Sequence, residues 1–345
     1  MIAANGVSRT SRKMKSFRRL LSARIPMIGP EVPMNVGVFT PGAPWYDACL
    51  LRGAISRKTA MGADIKLAFD ILAFTSVMVL IVLGLGVIAS MMGIFNFAHG
   101  EFVLLGAYTV YLFHERALPL WLGIVAAPFV LALVGFVLER AVIRRFYTNP
   151  IMAMLGTFAI GLVVREIIRG LLGGHYKAIP EPVSGMVSVA GLDFSIWRTV
   201  IICTTIVVML ASWMFLARTS MGLRIRGALE NPMLARACGI STARLYALTF
   251  AFGSALAGLA GALIVPLYGL SADIGIRFLV QAFLSVMLGG VGSFEGPVLG
   301  ASIVGGMAAG LPWVVFPVLA DPLVFIIALA IVKFRPQGLI AKGRL

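Results

Sequence analysis

Apolar residues fall along the chain in long blocks, not in a period-two alternation. Runs with few charges cover about residues 67–92, 102–113, 118–138, 151–173, 199–217, 248–268, 278–291, 297–311 and 313–332. Several reach the roughly 20 residues that an α-helix needs to cross the hydrocarbon core of a bilayer. Lipid offers the backbone no hydrogen-bond partner, so runs of this kind become helices. The pattern predicts an all-α fold: a polytopic membrane helical bundle with about eight transmembrane segments. The membrane domain spans 67–341, and residues 1–66 form a separate zone.

Composition supports this reading. Hydrophobic residues make up 60% of the 345 positions, charged residues 12%, and the mean hydropathy is +0.98. Soluble domains run near 45–50% apolar and about 25% charged, so an ordinary water-soluble enzyme is excluded. The net charge of +15 would suit nucleic acid, but its distribution does not. Eleven basic residues precede Leu67 and most others sit in short connections, as the positive-inside bias requires. Cys49, Cys203 and Cys238 have no metal-type spacing, and three scattered thiols do not make a disulfide framework. No metal site, cofactor or catalytic residue is expected.

Residues 1–66 are basic and Pro/Gly-rich, with Arg9, Arg12, Lys13, Lys15, Arg18, Arg19 and Arg24 ahead of Pro26, Pro30, Pro33, Pro41 and Pro44. They read as a disordered cytoplasmic tail that touches anionic lipid. A partner-binding segment is one alternative, and a true start at Met34 or Met61 is another. The connections 139–150 and 218–247 and the tail 333–345 are also basic, which places them in the cytoplasm with both termini. The Pro/Gly-rich connection 174–198 balances Lys177 and Arg198 against Glu181 and Asp193, which places it outside.

These assignments demand an odd number of crossings before residue 118, and again between about 270 and 333. Segments 102–113, 278–291 and 297–311 are short for full spans. Each region therefore holds three short crossings or one crossing plus a broken or re-entrant helix, and the broken helix is the expectation. The two regions resemble each other: Gly93-Ile-Phe-Asn-Phe-Ala-His-Gly-Glu101 leads to Leu105-Gly106-Ala107, and Gly289-Gly-Val-Gly-Ser-Phe-Glu295 leads to Leu299-Gly300-Ala301. Matched interrupted segments in two halves of a transporter point to its substrate pathway. Asn96, His99, Gly100 and Glu101, with Gly292, Glu295 and Gly296, are the candidates. Polar groups inside the membrane face a cavity or one another. Here they either brace the freed backbone of a broken helix or touch the substrate.

Arg165, Glu166 and Arg169 lie near the outer end of 151–173, where snorkelling to the interface accounts for them; a charged vestibule gate is the other reading. Gly253, Ala257 and Gly261 repeat every four residues with Gly258 one step over, a ladder for close helix packing, within one subunit or across two. In 218–247, Asn231 suits an N-cap with Pro232 at the first helical position. Gly239 suits the left-handed residue that closes the helix. The two turns between them are too short to stand alone, so they dock into a protein groove or lie on lipid.

Four stretches together carry a resemblance: GIFNFAHGEFVLLGAY (93–108), MGLRIRGALENPMLARACGI (221–240), LTFAFGSALAGLAGAL (248–263) and VMLGGVGSFEGPVLGA (286–301). The chain resembles the branched-chain amino acid ABC transporter permease family, and more narrowly the first of that system's two permease subunits. The resemblance covers about 67–341. It implies that 221–240 is the coupling loop contacting the ATPase, with Arg226, Glu230, Asn231, Pro232, Ala235, Arg236 and Gly239 in the docking region. Met233 and Leu234 stand where Glu and Ala occur in the general importer pattern. It implies a second permease subunit, two cytoplasmic ATPase subunits and an external, periplasmic substrate-binding protein as partners in the inner membrane. Gly222 and Gly227 have the spacing of a phosphate-binding loop, but Ala228-Leu229 replace the Lys-Ser/Thr it needs, so ATP is hydrolysed by another chain. A urea or short-chain amide permease shares these motifs, and an ion-coupled secondary transporter would also show broken helices.

Overall fold

The computed structural model describes residues 44–93, 95–147, 149–173, 175–189, 192–335 and 337–340, with side chains from Gly62 onward apart from Met91, Pro150 and Val189. The chain divides into two compact units, Met1–Arg57 and Lys58–Leu345. In the first, residues 44–57 are helical, although this stretch was expected to be irregular. No proline follows Pro44 until Pro119, so nothing in the sequence stops a helix there. The remainder of the basic tail lies outside the described residues.

Eleven α-helices are described. They are α1 (Pro44–Met92), α2 (His99–Glu115), α3 (Leu120–Ala141), α4 (Pro150–Leu172), α5 (Ile196–Arg218), α6 (Ser220–Glu230), α7 (Pro232–Ala237), α8 (Thr242–Tyr268), α9 (Ile274–Gly289), α10 (Glu295–Val314) and α11 (Pro317–Phe334). A 3₁₀ turn covers Ile143–Phe146, and one antiparallel hairpin pairs β1 (Met186–Val189) with β2 (Leu192–Ser195). Seven helices are long and apolar enough to cross a membrane, the first span being Gly62–Ser90, and Ile274–Gly289 is a shorter apolar helix. The polytopic helical bundle is as the hydrophobic blocks predict.

Two ends of the bundle can be told apart. At the hairpin end Asp70 pairs with Arg198, Phe69 meets Phe194 edge-on at 4.9 Å, and Lys177 bridges to Leu270. At the opposite end, which carries α6 and α7, the Gly292 N–H donates to Ser90 Oγ at 3.2 Å and the Leu339 N–H donates to Leu288 O at 2.9 Å. The first span therefore begins at the hairpin end, while α11 finishes at the α6–α7 end. The expectation that both tails share the cytoplasmic face needs the first span to begin at the other end. The orientation bias is read within about 15–20 residues of a span and ignores long tails. Near this span Asp64 and Asp70 dilute Lys58 and Lys66.

Reversing that first span dissolves the first parity problem. The chain turns at Gly93 (φ +64°), runs non-helical through residues 95–98, and returns as α2. His99 bonds to Ile81, about three turns inside the α1 terminus, so α2 starts deep in the bundle and the interruption is a re-entrant one. The second region differs from the expectation. There α9, α10 and α11 are three separate helices, and the glycine-rich stretch is a turn at the bundle's end. It relies on Gly290 (φ +95°) and Gly292 (φ +103°), a conformation that side chains with a Cβ resist.

The centre is built by close backbone approach. The spans Gly62–Ser90 and Thr242–Tyr268 are 78% and 72% buried, against 17–28% for the other five. Along α8, Gly253 lies against the Gly84 carbonyl of α1, Gly258 against Leu131 of α3, and Gly261 against the Val103 carbonyl of α2, while Ala257 is fully buried. A Cβ at Gly261 would come within 1.9 Å of that carbonyl. The ladder thus packs inside one subunit. Lipid tails are as apolar as leucine, so such contacts carry helix association in place of the hydrophobic effect.

Candidate functional site

The re-entrant segment is held by contacts from three helices, polar ones from α1 and α4 and packing from α9. Asn96 Oδ1 accepts the Ala98 N–H at 3.0 Å, and Thr157 Oγ on α4 accepts the Phe97 N–H at 3.1 Å. These satisfy backbone donors that a break in a membrane helix frees. The Phe97 ring stacks on Phe283 at 4.7 Å. His99 Nε2 lies 2.9 Å from the Ile81 carbonyl oxygen; an oxygen only accepts, so Nε2 carries the proton. Gly100 packs on the Gly275 carbonyl, where a Cβ would sit 2.5 Å away.

Glu101 is 1% exposed and accepts from Arg165 on α4, whose Nε lies 3.0 Å away. Arg165 is 11% exposed, so it does not snorkel to the interface as the sequence suggested. Its position inside one apolar run, with Glu101 at the edge of another, was the available signal, because opposite charges in lipid seek each other. Arg169, four residues on, donates to Asp273 at 2.6 Å and to Glu166 at 2.5 Å. Thr157 gave no signal in sequence. Asn96 Nδ2, His99 Nδ1 and Glu101 Oε2 have no partner among the described residues. The segment therefore both braces α1, α4 and α9 and keeps spare polar capacity.

Gly292, Glu295 and Gly296 do not join this cluster. On α1, Gly84 faces His99 and Gly86 faces Pro297. Positions two apart on a helix point about 200° apart, so α1 stands between the re-entrant segment and the start of α10. Gly296 is buried, its N–H donating to Ser293 Oγ at 3.1 Å. Glu295 is exposed in the first turn of α10, where a carboxylate meets the positive end of the helix dipole. Gly292 and Glu295 instead share a cavity of about 170 Å³ with Arg226 and Glu230 of α6 and with Trp213.

The α6–α7 connection is organised as its sequence suggests. Asn231 Oδ1 accepts the Leu234 N–H at 3.0 Å, and Pro232 occupies the first turn. Gly239 takes φ +79°, and the N–H groups of Cys238, Gly239 and Ile240 return to carbonyls of α7. Ala235 is buried with Val87, Ile225, Ala228 and Leu245, which anchors the short helix to α1, α6 and α8. Arg236 turns back to Thr242 Oγ at 2.9 Å, and Arg226 to the Ala217 carbonyl at 3.3 Å. Met233 and Leu234, 81% and 61% exposed, stand outward. At the neighbouring elbow Tyr147 donates to Glu139. Burial, and then that bond, push the Tyr147 phenol well above its usual range, so it stays a donor at any physiological pH.

Residues 67–332 match the family described as the branched-chain amino acid transport system permease component. The chain belongs to this family. The relatives include the high-affinity branched-chain amino acid transport system permease protein LivH of Salmonella typhimurium, 26% identical over 79% of this chain and 94% of the relative. LivH of Escherichia coli K12 is 29% identical over 69% of this chain and 82% of its own length. BraD of Pseudomonas aeruginosa is 27% identical over 76% and 91%. No solved structure matches. The family match takes in the re-entrant segment, the α6–α7 connection and the α8 ladder, and leaves residues 1–66 outside it.

Proposed function

We propose that this chain is the membrane-spanning subunit of an ATP-driven importer of branched-chain or related apolar amino acids in the inner membrane, and that α7 is its grip for a separate ATPase. The observation that carries this reading is the two-faced α7. Ala235 roots the helix in the bundle while Met233 and Leu234 project from it, and caps at both ends fix its shape. A helix of two turns has no stability of its own in water; one so firmly capped and anchored transmits force to α6, α8 and α1. The basic α6–α7 end is then cytoplasmic, the hairpin end external, and the first span enters from outside. Nucleotide-driven closure of the ATPases would rock the helices and switch access. A second permease subunit and an external binding protein complete the assembly. The re-entrant segment and its Glu101–Arg165 pair belong to the pathway or to its bracing.

Replacing Gly239 by Pro tests the grip. Proline fixes φ near −65°, whereas Gly239 stands at +79° and donates its N–H to Arg236 O. Leucine uptake by the assembled system is expected to vanish while the protein remains inserted in the membrane. Uptake at the unaltered rate would remove α7 as the grip.

A further inference from the structure

The hairpin end contains a chamber that the site above does not use. A cavity of about 300 Å³ lies between α1, α8 and α10, walled by Phe74, Val77, Leu267, Tyr268 and Trp313. A second, more polar cavity of about 500 Å³ opens beside the hairpin, with Lys66, Glu181 and Asp193 in its wall. Asp70 and Arg198 line both cavities, so this ion pair stands at the waist between a polar mouth and an aromatic chamber. Phe74 and Tyr268 meet edge-on at 6.3 Å and form one wall.

The pair itself is only partly committed. Arg198 Nη1 donates to one oxygen of Asp70, and neither the second Asp70 oxygen nor Arg198 Nε and Nη2 has another partner among the described residues. A guanidinium offers five N–H donors and a carboxylate about four acceptor positions, so most of both groups is free. With side chains 36% and 33% exposed, the pair adds little to stability, since water screens it. Two opposite charges side by side, both with unused capacity, are the complement of a zwitterion. The free guanidinium edge takes a carboxylate by parallel hydrogen bonds, and the free carboxylate oxygen takes an ammonium. The aromatic and aliphatic chamber alongside takes an apolar side chain, in the manner of pockets that combine an apolar lining with a few convergent polar groups.

We propose that Asp70, Arg198 and the chamber around Phe74, Tyr268 and Trp313 form an outer binding site for an α-amino acid with an apolar side chain. This rests on the permease reading and names the substrate chemistry for it. Urea carries neither charge and would leave both ion-pair partners unmet, so the site favours an amino acid over an amide.

The test uses the complete assembly in liposomes, with a saturating concentration of external binding protein and radiolabelled leucine. Unaltered assemblies should accumulate leucine only with ATP; ATP-independent accumulation would overturn the permease reading and leave this site to be judged by its variants. Asp70→Asn and Arg198→Gln should each cut accumulation at least tenfold, while ATP hydrolysis stimulated by the loaded binding protein stays within twofold. Arg198→Lys should recover part of the loss, because an ammonium keeps one contact to the substrate carboxylate. Accumulation at the unaltered rate in Asp70→Asn or Arg198→Gln overturns the proposal. So does full recovery in the double variant Asp70→Arg with Arg198→Asp, since a swapped pair serves equally well as a strut but misplaces both charges for the ligand. If the charge variants fail to assemble, Phe74→Ala decides. A fall in leucine accumulation relative to glycine supports the chamber, and an unchanged ratio refutes it.

Discussion

At the residue scale, the Glu101–Arg165 pair sets the largest local stakes. Removing one member of a buried ion pair typically costs about 3–5 kcal/mol, because the other charge stays buried without compensation. Glu101→Gln should therefore lower the thermal unfolding midpoint in detergent. Adding Arg165→Met to it should restore part of the loss, since the stranded charge is then gone. A double variant no more stable than Glu101→Gln would show that the pair is not coupled. The presence of these charges was legible in sequence, but their pairing was not. Residues 101 and 165 sit on separate helices, and only the tertiary arrangement brings the outer half of α4 against the start of α2. Asn231, Pro232 and Gly239 were legible because caps are local: each acts within four residues of its own position.

At the element scale, α8 is the post around which α1, α2 and α3 assemble. Gly261→Val would drive side-chain atoms into the Val103 carbonyl, from which even a Cβ stands only 1.9 Å away. Overpacking in a tight core costs about 1–3 kcal/mol and more where backbone must move. The variant should insert but become sensitive to protease in the α6–α8 connection; protease resistance equal to the unaltered protein would contradict the packing role. The helical blocks were readable from hydrophobicity because lipid enforces helices. The nature of the interruptions was not. Both glycine-rich stretches look alike in sequence, yet 95–98 re-enters the bundle while 290–294 turns at its edge. What separates them is which neighbour they meet: Ile81 and Thr157 deep inside for the first, Ser90 near a helix end for the second.

At the scale of the whole molecule, the direction of the first span organises everything else. With its start beside β2, the re-entrant segment needs no third crossing, and the Asp70–Arg198 pair comes to the face opposite α7. Single cysteines at Ser188 and Ser293, in a protein freed of Cys49, Cys203 and Cys238, should react with a membrane-impermeant maleimide from opposite faces. Labelling of both from one face would overturn this topology. Charge counting is a weak guide to the direction of the first span because the strongest basic cluster lies far from it in sequence, and the family match begins only at residue 67.

The central claim is that α7 is held by a nucleotide-hydrolysing partner. The most direct measurement places a cysteine at Met233, the more exposed of the two large apolar side chains of α7, and treats native membranes with a short bifunctional cross-linker. The account predicts one adduct with an ATP-binding subunit, formed only when reagent reaches the cytoplasmic face and lost when Gly239 is also changed to Pro. No adduct with any nucleotide-binding protein, or ready labelling of residue 233 from outside, would contradict it.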